Sequence, residues 1–91
     1  MEIVSFSEQE IEITSVYFRS TTPNKQRFES FPKRMVWGGR EYTFIEDSLR
    51  YLVQKGQELV KLFDVSDGQT QYRLRLDTGN HWTLVGMKTN N

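Results

Sequence analysis

From residue 34 onward, apolar and polar side chains alternate in short runs, and each run stops at a cluster of turn-forming residues. "RMVW" and "REYTFI" flank Gly38 and Gly39, "ELVKLFDV" and "TQYRLRL" flank "SDGQ", and "YRLRL" and "WTLVGMK" flank "DTGNH". Period-two alternation broken at this spacing predicts an antiparallel meander over residues 34–88. The Gly38-Gly39 pair suits a hairpin corner, because primed two-residue turns need positive φ at their centre. It does not suit a phosphate cradle: the glycines are adjacent, and the chain runs on into a strand instead of a helix.

Alternation also selects registers. A three-residue loop of Thr78, Gly79 and Asn80 sets Leu76 opposite Trp82 and Leu74 opposite Leu84, with Arg73 and Arg75 on the other face. A two-residue loop at Asp67-Gly68 pairs Phe63 with Tyr72 and Leu59 with Leu76, extending the same apolar face. Val60, Leu62, Val85 and Met87 are then left beside Arg73 and Arg75. That much aliphatic surface calls for a cover, from curling of the sheet into a barrel or from a helix packed across it.

Two further segments complete the pattern. Residues 11–20, "IEITSVYFRS", are rich in β-branched and aromatic side chains and predict an N-terminal strand. Pro23, Asn24 and Pro32 then break the pattern and predict a loop over residues 21–33. Residues 46–56, "EDSLRYLVQKG", fit two readings. Asp47 or Ser48 as N-cap, Leu49, Leu52 and Val53 at helical spacing and Gly56 as C′ describe a short helix, whereas Leu49, Tyr51 and Val53 alternate as in a strand. The expected fold is mainly β: a small SH3-like barrel or a strongly curled antiparallel meander of five or six strands. A short helix near 47–55 remains open, and residues 1–91 form one domain.

Composition narrows the classes. The 91 residues include six Phe, four Tyr and two Trp, with 26% charged residues, which suits a folded domain. No cysteine is present, so neither disulfides nor thiolate metal sites support the small core. The opening "MEIVSFSEQE" lacks the basic and apolar regions of a signal peptide, and no apolar run is long enough to cross a bilayer, so a cytoplasmic protein without membrane association is expected. Twelve basic residues balance twelve acidic ones, which removes the overall positive field typical of tight nucleic-acid binders.

Charge is nevertheless segregated. Glu2, Glu8, Glu10 and Glu12 make the first stretch acidic, while Arg19, Lys25, Arg27, Lys33 and Arg34 make residues 19–34 basic apart from Glu29. Phe28 and Phe31 lie within that basic stretch, a combination that suits an anionic partner. Arg40, Arg73 and Arg75 neighbour Trp37, Tyr42, Tyr72 and Trp82. Aromatics beside a basic groove are how small β-barrels stack single-stranded nucleic acid, although core packing accounts for these rings more simply. His81 is the only histidine, no G-x-S-x-G elbow occurs, and Glu46 and Asp47 fit a cap better than an acid/base pair. No enzyme, metal or cofactor is expected.

The ordered set "FPKRMVWGGREYTF", "LFDVSDG", "QYRLRLD" and "HWTLVGM" resembles a family of small uncharacterised bacterial proteins. These carry a Trp-x-Gly-Arg-x-Tyr hairpin followed by Tyr-x-Leu and Trp-x-Leu strands. The matching positions are Trp37, Gly39, Arg40 and Tyr42, then Tyr72, Leu74 and Asp77, then Trp82 and Leu84, within about residues 31–88. The resemblance implies a small, mostly β domain and carries no activity with it.

The functional expectation is a non-catalytic binding module for an anionic partner, nucleic acid included, using Arg27, Lys33, Arg34, Arg40, Arg73 and Arg75. The alternative is a protein-interaction or self-association module in which the N-terminal strand pairs with another sheet edge or homo-oligomerises.

Overall fold

A computed structural model describes residues 8–20 and 28–89, which form strands joined by turns and short irregular segments, and no helix. In chain order the strands are β1 (Gln9–Glu10), β2 (Glu12–Ser20), β3 (Phe28–Trp37), β4 (Arg40–Thr43), β5 (Leu49–Lys55), β6 (Glu58–Ser66), β7 (Thr70–Asp77) and β8 (His81–Thr89). They pair antiparallel in two sheets, a five-stranded β1-β8-β7-β6-β5 and a three-stranded β2-β3-β4. The mainly β, antiparallel expectation holds, with eight strands in place of five or six. Among the described residues the ladders do not close into a barrel. The sheets are instead linked at two corners, where Ile11 N–H donates to Trp82 O at 3.4 Å and Ile45 N–H donates to Ser66 O at 2.8 Å.

The short helix near 47–55 is overturned. Gly56, which a helix would use as C′, has φ +63° and is the first central residue of a two-residue turn that sets Lys55 opposite Glu58. Pairing with β6 then runs in unbroken register along the whole of β5, and the Leu49, Tyr51, Val53 alternation prevails over the helical spacing.

The predicted loop over 21–33 is also shorter than expected, because β3 begins at Phe28 and takes in Lys33 and Arg34. Pro32 is accommodated opposite Val16, directly beyond two register shifts in the β2–β3 ladder, where an irregular ladder tolerates the missing N–H. Residues 21–27 lie outside the described residues.

Leu74 opposes Leu84 and Leu76 opposes Trp82, as the three-residue loop requires; Gly79 (φ +86°) and Asn80 (φ +61°) supply its left-handed backbone. Two registers differ from expectation. Phe63 opposes Leu74, not Tyr72, because the loop between β6 and β7 is longer than two residues. Asp67 Oδ1 accepts from the N–H groups of Gln69 and Thr70 at 2.9 and 2.8 Å, and Asp67 N–H donates to Thr70 O at 3.1 Å. A shift of two leaves every side chain on its expected face. In β8 a bulge between the Arg73 and Leu74 pairings sets Tyr72 opposite Met87, which moves Met87 from the arginine side to the core. On the arginine side Val60 is buried, and Leu62 and Val85 are half-buried.

The core lies between the sheets. The small sheet and its continuation contribute Phe31, Met35 and Phe44, and the large sheet contributes Phe63, Val65, Tyr72, Leu74 and Leu84. Rings bridge the layers: Phe31 meets Phe63 edge-on at 6.0 Å, and Tyr72 contacts Tyr42 at 5.9 Å and Phe44 at 5.7 Å. Such pairs add about 0.5–1.5 kcal/mol each beyond the area they bury. Trp37, Tyr42 and Trp82 pack against the margins of this core.

Candidate functional site

Of the six cations expected to face an anionic partner, the five among the described residues are distributed over different surfaces. Arg73 projects from the outer face of the large sheet directly opposite Asp64, and its Nε and Nη2 donate to the two Asp64 oxygens at 2.8 and 3.0 Å. Arg75 lies two residues further on the same face, with Nε 3.1 Å from Asp77 Oδ1 and Nη1 bonded to Glu8. These contacts raise both guanidinium pKa values further, led by the hydrogen bond that Arg73 donates to Asp64 and the one that Arg75 donates to Glu8. Reciprocally, the hydrogen bond and charge of Arg75 hold the Glu8 carboxyl below its ordinary value. The arginine face is therefore matched by its own carboxylates.

Lys33, Arg34 and Arg40 sit on the small sheet. Lys33 Nζ lies 3.0 Å from Glu46 and 6.0 Å from the centre of the Tyr17 ring. Arg34, its neighbour in β3, is exposed on the opposite face. Arg40 leaves the Gly38-Gly39 corner with its guanidinium 5.5 Å from the Tyr42 ring. Arg27 lies outside the described residues. Lys33 with Tyr17, Arg34, Arg40, and the Arg73/Arg75 pair thus form separate loci.

Two further cations, Arg19 and Arg50, tie the sheets together. Arg19 sits 4.1 Å over the Phe31 ring and its Nη2 donates to Ser48 O at 2.7 Å, while Arg50 pairs with Glu29 at 3.1 Å. His81 is exposed with Nε2 3.5 Å from Glu10, and no cluster of metal-ligating side chains occurs among the described residues. A shallow cleft of about 190 Å³ is lined by Asp47, Leu49, Asp64, Val65, Ser66 and Gln71, with Asp64 already held by Arg73.

What sequence reading did not single out is exposed apolar surface. Val16 and Phe18 on β2 share the outer face of the small sheet with Phe28 on β3. Ser20 opposes Phe28 and Ser30 opposes Phe18, so Phe18 and Phe28 are diagonal cross-strand neighbours. A second apolar set, Leu49, Tyr51, Leu52, Val53 and Leu59, lies on the β5–β6 hairpin. The available signal was that "LRYLV" places apolar residues at both parities of a strand, which one core-facing side cannot absorb.

The chain matches no protein-family model, no curated protein and no solved structure. Among the described residues no helix is long and apolar enough to cross a membrane.

Proposed function

We propose that this protein is a non-catalytic interaction module that binds a protein partner through β2, the N-terminal strand. The observation that carries this reading is that β2 is an edge of the small sheet, with Phe18 68% exposed beside Phe28 at 63% and Val16 following on the same face. An edge strand offers unpaired main-chain groups, and an apolar strip alongside supplies the side-chain contacts an extended segment needs. Binding of an anionic partner, nucleic acid included, draws less support, because Lys33, Arg73 and Arg75 already have carboxylate partners.

The test is capture from lysate by wild type and by a Val16→Lys, Phe18→Lys variant, each with and without nuclease. Proteins retained by wild type, lost by the variant and indifferent to nuclease are the expected result. Capture that survives the substitutions, or that vanishes with nuclease, overturns the reading in favour of another surface or a nucleic-acid partner.

A further inference from the structure

Among the described residues the two sheets have four edge strands, which differ in how far each could pair with a second copy of itself. β1 is two residues long, β4 is four residues with Arg40 and Glu41 on it, and β2 holds an unbroken register with β3 only over Val16–Ser20. β5 differs. It runs seven residues in unbroken register with β6, and it contains no proline. Its exposed side chains are mostly apolar, with Leu49 and Leu52 both at 56%. Of its two charges, Arg50 is turned onto Glu29 and Lys55 stands at the hairpin end.

We infer that β5 is a self-association edge, at which two copies of this chain pair antiparallel about a two-fold axis through Leu52. The inference goes beyond the β2 reading and does not depend on it. A second copy is the occupant because the strand is complementary to itself in that register. Leu52 meets Leu52, Tyr51 meets Val53, Arg50 meets Gln54 and Leu49 meets Lys55, so no like charges stand opposite each other. Lys55 of each copy also arrives at the end of β5 that follows Asp47 of the other. A slide of two residues centres the pairing on Tyr51 or Val53 and sets Leu52 against Arg50 or Gln54, and a slide of four centres it on Arg50 or Gln54, which either opposes two arginines or strands half of the apolar set.

The main chain permits this register. The two-residue turn at Gly56-Gln57 directs the Lys55 groups toward β6, and alternation directs those of Tyr51 and Val53 the same way. Arg50, Leu52 and Gln54 then aim their N–H and C=O groups at the free edge, the set that must pair when Leu52 sits on the axis. The closed, isologous contact joins two five-stranded sheets into one, and it covers Tyr51 and Val53 on one face and Leu52 on the other.

Sedimentation across micromolar to millimolar concentrations should show a monomer–dimer equilibrium. Leu52→Lys, at an exposed position, should weaken it at least tenfold while leaving the circular dichroism spectrum and unfolding midpoint near wild type. Register is read separately by single thiols, since the chain has no cysteine of its own. In an antiparallel hydrogen-bonded pair the Cα atoms are about 5.5 Å apart, within disulfide reach, so Leu52→Cys should oxidise rapidly to a covalent dimer. Gln54→Cys, which faces Arg50 in this register, should cross-link at least tenfold more slowly. A monomer at every concentration, a dimer indifferent to Leu52→Lys, or equal cross-linking of the two thiols would each overturn the proposal. Loss of β2-dependent capture would leave it untouched.

Discussion

Tyr72 Oη donates a 3.0 Å hydrogen bond to Asp67 Oδ2, joining a buried core ring to the carboxylate that shapes the β6–β7 turn. Burial, and then the hydrogen bond to Asp67, push the Tyr72 hydroxyl up to about 12. For Asp67, burial raises the pKa, but the N–H groups of Thr70 and Gln69 and the Tyr72 hydroxyl together outweigh it and hold the carboxyl below its ordinary value.

The pH dependence follows from these signs. The Tyr72 contribution is complete below the unfolded tyrosine value near 10 and is lost as pH climbs toward 12. The Asp67 contribution is complete above the unfolded carboxyl value and is lost as pH falls through the lowered folded one. Urea midpoints measured on either side of pH 10 should therefore drop more steeply for wild type than for Tyr72→Phe. Equal slopes would mean that the hydroxyl is not held neutral in the folded protein.

Ser48 is fully buried, and its Oγ has no hydrogen-bond partner among the described residues. Its main chain is engaged, with N–H 3.4 Å from Tyr17 Oη and the carbonyl accepting from Arg19. Alanine preserves those contacts and removes a hydroxyl that is desolvated without return. Ser48→Ala should leave stability unchanged or raise it by up to about 1 kcal/mol in denaturant unfolding. A loss above that size would reveal a hydrogen bond to Oγ.

Leu74 has no exposed surface and stands between Phe63 and Leu84 in the ladder. Leu74→Ala should cost about 2–5 kcal/mol, because the deleted methyl groups leave a cavity between two sheets that cannot collapse freely. Leu59→Ala, at an exposed hairpin position, should change stability by no more than about 0.5 kcal/mol. Similar costs at both sites would contradict the inward direction assigned to Leu74.

Arg73 and Asp64 form a bidentate pair, yet their side chains remain 40% and 29% exposed. A double-mutant cycle with Arg73→Gln and Asp64→Asn should give a coupling below about 1 kcal/mol. That coupling should shrink as salt is added. A larger, salt-resistant coupling would mean that the arginine face is shielded from solvent.

Much of the meander was legible because hairpin chemistry is local. Gly38 and Gly39 have φ +60° and +78° at the predicted corner, and the Thr78-Gly79-Asn80 loop alone was enough to pair Leu74 with Leu84. The Asp67 loop departs by two residues from the register its Asp-Gly pair predicts, since a carboxylate capping two N–H groups lengthens a turn that Asp-Gly by itself would close. Residues 46–56 carried both periods at once. Gly56 serves a helix end and a hairpin corner equally, and only the β6 backbone waiting to be paired decided between them.

By itself, then, the sequence determined that this chain is mainly antiparallel strand with the Leu74 side inward, because side-chain alternation and turn preferences act over a few residues. The tertiary structure decided which cations meet carboxylates of their own chain. Arg73, Arg75 and Lys33 meet Asp64, Glu8, Asp77 and Glu46 only after distant strands come together, and ion pairing depends on distance in space. It also decided which strands end a sheet, a property of pairing order that no single segment encodes, and so it alone exposed β2 and β5.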